Sequence, residues 1–252
     1  MSFLLSTLIA LGALTAGGVP TPAAKEPRLF ELRVYYAAPD KLEALNARFR
    51  DHTTKLFEKH GITNIGYWVP ADNKQSQLIY FLAFPNKAEQ EKSWKAFADD
   101  PEWKAAYQAS EVNGKLVAKV ESHFYVATDY SPRVKPATRK NERLFELRTY
   151  TSTAGNMDDL NARFRNHTIK IFKRYGVDVL GFWVPSDKAK DGENTLVYLI
   201  AHKSEAKRLE LAEKFPKDPE WLKVKEESER NGKLVEKVES ILLKPVDYSP
   251  MK

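Results

Sequence analysis

The sequence predicts an α+β protein built from two tandem copies of one βαββ-helix-helix-β domain, each an antiparallel sheet with helices on one face. Three observations carry this. NARFRDHTTKLFEKHG, from Asn46 to Gly61, returns as NARFRNHTIKIFKRYG from Asn161 to Gly176, an offset of 115 residues. RLFELRVYY (Arg28 to Tyr36) and GYWVP (Gly66 to Pro70) return at the same offset as RLFELRTY and GFWVP. After a three-residue insertion around Ala189 to Gly192 the offset becomes 118, and QLIYFLAF answers to TLVYLIAH, with DPEW, NGKLV and DYSP each repeated. Matches that keep their order over about 105 residues mark a duplication, and the period is too long for a solenoid. The copies occupy residues 25–130 and 143–250, joined by SPRVKPATRKNE (Ser131 to Glu142), whose prolines and charges read as a linker.

Each element follows from local pattern. The first strand alternates Phe30, Leu32 and Val34 with Glu31, Arg33 and Tyr35, so it has one apolar face. Asp40 and Glu43 have capping-box spacing before a helix with Leu42, Leu45, Phe49 and Leu56 on one stripe, and Gly61 ends it. Two β-rich runs follow, Ile62 to Pro70 and Gln77 to Phe84. Asn86 and its counterpart Ser204 are N-cap residues for a second helix carrying Trp94 and Phe97. Asp100 precedes Pro101 at the start of a third helix, where a missing N–H costs nothing. Asn113-Gly114 closes that helix, and Lys115 to Ala127 forms the last strand.

The first residues stand apart. Phe3 to Leu14 is an apolar run too short and too glycine-broken for a membrane span, followed by small residues and prolines with no charge before Lys25. It reads as a signal peptide over residues 1–23, with Thr21 and Ala23 placed for cleavage after Ala23 and export as the outcome. The other reading is an uncleaved membrane anchor. Once the leader is removed, nothing points to a membrane. A net charge of +6, with acids and bases interspersed, is a solvated surface, and no basic stripe points to nucleic acid. The absence of cysteine excludes disulfides and thiolate chemistry.

One sheet face per copy remains to be covered. On the first strand it carries Glu31, Arg33 and Tyr35, and in the second copy Glu146, Arg148 and Tyr150. Two such sheets can cover each other about a pseudo-twofold axis, making the chain a dimer fused into one polypeptide and the charged face its interior or seam. His52 and His167 fall on the helix stripe at a 3.6-residue period and so face the sheet, with Arg48 and Arg163 four residues earlier. An adjacent guanidinium would keep such a histidine neutral, as a base or ligand; the alternative is a core histidine bonded to a carbonyl. Trp68 and Trp183 on strands, like Trp103 and Trp221 in a first helical turn, read as core or pocket wall. His60, His123 and His202 face Tyr175, Ile241 and Phe84 in the other copy, which argues against a duplicated metal site. No metal-ligand spacing, phosphate-cradling glycine loop or nucleophile motif is present in the sequence.

Taken together, FELR-x-Y, N-x-RFR-x-HT-x-x-x-F, GxWVP, DPEW and the closing DYSP resemble the NIPSNAP family over both halves. The resemblance implies ferredoxin-like halves pairing as a dimeric α+β barrel, here within one chain. That superfamily includes cofactor-free monooxygenases, isomerases and haem-handling enzymes. The implied function is therefore binding of a small organic ligand in the helix–sheet clefts, around Arg48, His52, Trp68 and their counterparts. The alternatives are a cofactor-independent oxygenase or isomerase, and a non-catalytic adaptor. No cofactor is predicted, haem being the one group the resemblance leaves open. An enzyme would show a polar cavity reaching His52 or His167; an adaptor, a filled cleft and an exposed apolar patch.

Overall fold

The structure, a computed structural model, describes residues 28–136, 143–187 and 192–252. The leader over residues 1–23 and residues 137–142 of the linker lie outside them. Each repeat has the predicted element order. The first comprises β1 (Leu29–Ala37), a long helix in the segments α1 (Leu42–Arg48) and α2 (Thr54–Lys59), β2 (Thr63–Pro70), β3 (Gln77–Phe84), α3 (Lys87–Asp99), α4 (Pro101–Ser110) and β4 (Val117–Ala127). The second comprises β5 (Leu144–Ser152), α5 (Met157–Arg163), α6 (Ile169–Arg174), β6 (Asp178–Pro185), β7 (Thr195–His202), α7 (Glu205–Lys214), α8 (Pro219–Ser228) and β8 (Val235–Pro245).

The eight strands close one antiparallel barrel in the order β1-β3-β2-β8-β5-β7-β6-β4. The repeats join edge to edge, through Trp68↔Pro245 to Pro70↔Leu243 on one side and Tyr125↔Pro185 to Ala127↔Trp183 on the other. The four outer strands β2, β4, β6 and β8 are thereby joined in pairs, over three residues at each seam, and the sheet closes.

Closure also decides which strand face points where, and it reverses the sequence expectation. Phe30, Leu32, Phe81 and Trp68 meet Phe145, Leu147, Leu199 and Trp183 inside the barrel, in one cluster drawn from both repeats. Leu29, Tyr35, Tyr80 and Leu82 instead pack under Leu45, Phe49 and Phe57 of the helices. Glu31, Arg33 and Tyr35, with Glu146, Arg148 and Tyr150, are therefore not barrel-interior or seam residues; they lie on the helix side. On β1 and β5 the more apolar face, with Phe30, Leu32, Phe145 and Leu147, goes to the interior, where a polar group would lose its water.

The caps follow the sequence closely. Asn86 accepts from Glu89 N at 2.9 Å, Ser204 from Lys207 N at 3.3 Å, and Asp100 and Asp218 accept from the first turns of α4 and α8. Asp40 does not form the expected capping box: it takes a left-handed turn at φ 60°, where the second repeat has Gly155 at 77°, and α1 has no side-chain cap.

DYSP explains why each repeat ends as it does. Asp247 holds Arg50 through two hydrogen bonds of 2.7 and 2.8 Å, and Asp129 holds Arg165 at 2.8 and 2.6 Å. Tyr248 donates to Asn46 at 2.8 Å and Tyr130 to Asn161 at 2.6 Å. Ser249 and Ser131 accept from Tyr67 N and Phe182 N. Each tail thus docks on the N-x-RFR helix of the opposite repeat. Ser131 and the buried Val134 therefore belong to the fold, although composition reads them as linker.

Candidate functional site

The repeated helix is broken by a π turn, Phe49–Thr53 in the first copy and Phe164–Thr168 in the second. Thr54 N–H bonds Phe49 O, five residues back, and the Thr53 hydroxyl donates to the Arg48 carbonyl at 3.2 Å. Thr168 and Arg163 repeat that bond at 3.2 Å. The extra residue in the turn brings Thr53 and Thr168 inward, and His52 and His167 outward. Both histidines are exposed, so the sheet-facing position read from a 3.6-residue period is corrected. His167 lines an open polar groove beside α8 with Asn166 and Asn231, and neither helix–sheet cleft reaches either histidine.

Arg48 and Arg163 do turn inward, and they are buried. Arg48 Nη1 donates to Ser110 Oγ at 3.2 Å and Glu111 Oε1 at 3.3 Å, and its guanidinium lies 5.5 Å from Trp103 and 5.1 Å from Tyr107. Arg163 bonds Glu229 at 2.8 Å and lies 5.2 Å from Trp221. In both copies the buried Nε has no partner. Trp68 and Trp183 are fully buried in the barrel interior, away from these clefts, so they are core and not ligand-binding residues.

The first cleft lies between sheet and helices, about 250 Å³ in volume, with walls of Tyr35, Phe57, Trp94, Phe97, Trp103 and Tyr107 and with Arg48 beside them. Its neighbour is a buried carboxylate: Glu31 accepts from Arg33 at 2.6 Å, Ser122 at 2.7 Å, Trp94 Nε1 at 2.8 Å and Gln90 at 3.3 Å. Arg33 also donates to Tyr80 and Tyr35, at 3.0 and 3.2 Å. Burial pushes the Tyr80 phenol well up, so it stays neutral.

A second cleft of about 250 Å³ lies between sheet and helices of the other repeat, against Glu146, Arg148, Tyr150, Phe172, Arg208 and Phe215. Glu146 accepts from Arg148 at 2.8 Å, Ser240 at 2.6 Å and His202 Nε2 at 2.9 Å. Burial pushes its carboxyl up, but the His202 and Ser240 hydrogen bonds and the Arg148 charge outweigh that and hold it at about 2. The sequence model of the NIPSNAP family matches residues 30–132 and again 145–250.

The chain belongs to the NIPSNAP family. Its two NIPSNAP repeats fill almost all of the described residues. In fold the whole chain is similar to a candidate monooxygenase from Lactobacillus acidophilus, at TM-score 0.57 and 11% identity, over 86% of this chain and 93% of that one. It is similar to another from Fusobacterium nucleatum at TM-score 0.59 and 8% identity, over 88% and 93%. A NIPSNAP family protein from Agrobacterium tumefaciens, 22% identical, covers 42% of this chain and 98% of its own, at TM-score 0.38. No curated protein matches the chain in sequence.

Haem does not fit these NIPSNAP clefts. Each holds about 250 Å³, room for a single small ring but not for a tetrapyrrole, and no histidine lines either one to serve as an axial ligand. Four residues beyond sequence reasoning shape the site: Gln90 and Trp94 in one repeat, His202 and Arg208 in the other. Their signal is mismatch between the copies, Gln90 against Arg208, Trp94 against Ala212 and His202 against Phe84, beside the equivalent carboxylates Glu31 and Glu146; by sequence alone the His202 mismatch counts only against a metal site.

Proposed function

We propose that this NIPSNAP protein binds small organic molecules in its helix–sheet clefts, the first cleft taking a flat apolar ring. The observation that carries the reading is the aromatic wall from Phe57 to Tyr107 enclosing about 250 Å³, with the Arg48 guanidinium beside it. Aromatic faces give a ring large contact area at low entropic cost, and the Arg48 Nε without a partner offers it a polar anchor. An unfilled cleft favours a ligand over the adaptor reading. The likeness in fold to candidate monooxygenases supports a catalytic version, a cofactor-independent oxygenase acting on that ligand.

The test is ligand-observed NMR with benzyl alcohol as a neutral ring probe. Val120 is 42% exposed at the rim of the first cleft. Wild type is expected to show saturable transfer to the probe, and Val120→Trp to lose it while melting at the same temperature. Binding that Val120→Trp leaves intact, or none in wild type, would remove the first cleft as a site.

Export belongs to the same proposal, supported by the apolar run Phe3 to Leu14 and the small residues before Ala24. N-terminal sequencing of exported protein is expected to begin near Ala24. An intact Met1 in the membrane fraction would make the leader an anchor.

A further inference from the structure

The two clefts are not copies of each other, and their differences gather at one point. In the first repeat Trp94 and Gln90 both donate to Glu31 Oε2, at 2.8 and 3.3 Å, and so cover the carboxylate. Their counterparts at the 118-residue offset are Ala212 and Arg208, and neither bonds Glu146. His202, standing where the first repeat has Phe84, supplies the replacement donor at 2.9 Å. The indole is gone and a cavity of about 250 Å³ takes its place, with Phe172, Leu211 and Phe215 as apolar wall and Arg148, Tyr150 and Arg208 as polar wall.

Charge decides what such a cavity takes. Both Glu146 oxygens are already engaged, by Arg148 and Ser240 on one and His202 on the other. One carboxylate therefore faces two guanidiniums. Arg208 is half-buried, and its guanidinium makes no hydrogen bond or ion pair among the described residues. Arg148 Nε is a buried donor without a partner, where the first repeat has Arg33 Nε on Tyr80 at 3.0 Å. A buried N–H left unpaired costs free energy, and a planar oxyanion is the ligand group that guanidiniums match best. We infer that the second cleft binds a small organic carboxylate, its apolar body against Phe172 and Phe215 and its carboxylate on Arg208 and Arg148. The inference rests on the reading that these clefts take ligands, and it divides them by charge: a neutral ring in the first, an anion in the second.

Benzoate against benzyl alcohol tests it, by ligand-observed NMR on the full chain. Arg208→Gln and Ala212→Trp each restore the first repeat's residue, at helix positions that are half-buried and exposed. Benzoate is expected to bind about tenfold or more weakly to Arg208→Gln, and not measurably to Ala212→Trp. Both variants should keep the wild-type melting temperature and the wild-type affinity for benzyl alcohol. Equal benzoate affinity in wild type and both variants would overturn the inference. So would benzoate binding lost in Val120→Trp but kept in Ala212→Trp, which would place the anion in the first cleft and leave the proposed function standing. No binding of either probe to wild type would overturn both.

Discussion

Gly66→Ala is expected to destabilise the protein by about 3 kcal/mol, and Gly181→Ala by as much, the upper end for overpacking a core. Neither glycine is needed for a left-handed backbone, since their φ values are not among the positive ones. The reason is the tryptophan two residues on. A Cβ at Gly66 would lie 2.3 Å from Trp68 Cη2 and 2.5 Å from Cζ2; at Gly181 it would lie 2.4 and 2.5 Å from the same atoms of Trp183. Those rings cannot swing away. Both are fully buried inside the barrel, Trp68 5.4 Å from Phe145 and Trp183 stacked on Phe81 at 4.8 Å. Behind Gly181 the new methyl would also meet Val134 Cγ2 at 2.9 Å. G-x-W is therefore a packing unit: the indole folds back over its own strand at a β-bulge, and only hydrogen fits beneath it. Chemical denaturation of Gly66→Ala, Trp68→Phe and the double variant checks this. The glycine substitution should cost markedly less in the Trp68→Phe background, where a smaller ring leaves room for the methyl. Costs that add within about 0.5 kcal/mol would mean that the two residues do not collide.

Glu146→Gln is expected to cost on the order of 3 kcal/mol at pH 7 and far less near pH 2. The Glu146 carboxyl is held at about 2 against an ordinary 4.5, although burial alone would push it up, because His202, Ser240 and Arg148 bond or face the carboxylate. A depressed carboxyl lends stability that is complete above the unfolded value of 4.5 and is lost as pH falls towards about 2. At about 1.36 kcal/mol per unit the shift corresponds to the order of magnitude given. The glutamine keeps the shape and loses the charge, which strands Arg148 in a site only 26% exposed. Stability against urea for both proteins from pH 7 to pH 2 is the measurement. The gap should be constant above about pH 5 and close below it. A gap that persists to pH 2 would mean that the carboxylate charge is not what the fold uses.

Much of this architecture was legible in residues. The duplication, the element order and the caps at Asn86, Ser204, Asp100 and Asp218 were, because each rests on identity or on short-range hydrogen bonding. The pairing of N-x-RFR with DYSP was visible as two recurrent motifs, but not as contact: Arg50 and Asp247 are 197 residues apart, and nothing local says that each tail crosses to the other repeat. The histidines misled for a local reason. A π turn uses the same residue types as an α turn, so the register slip at Phe49–Thr53 leaves no mark in the hydrophobic period. Arg48 lies just before the slip and Thr53 ends it; both came out buried, while His52 between them did not.

What the sequence determined by itself is a pair of like α+β halves, the first strand of each carrying one apolar and one mixed face. Only the tertiary structure decided which face is inside. Alternation has a period of two and is symmetric, so it separates the faces without labelling them. Closure of the barrel supplies the label: the dry interior takes Phe30, Leu32 and their partners, and Glu31, Arg33 and Tyr35 go beneath the helices, where Ser122, Gln90 and Trp94 hold the carboxylate. In the second repeat the loss of that indole leaves room beside Glu146, and whether an alanine opens a cavity depends on what neighbouring elements fail to fill, which no stretch of chain records.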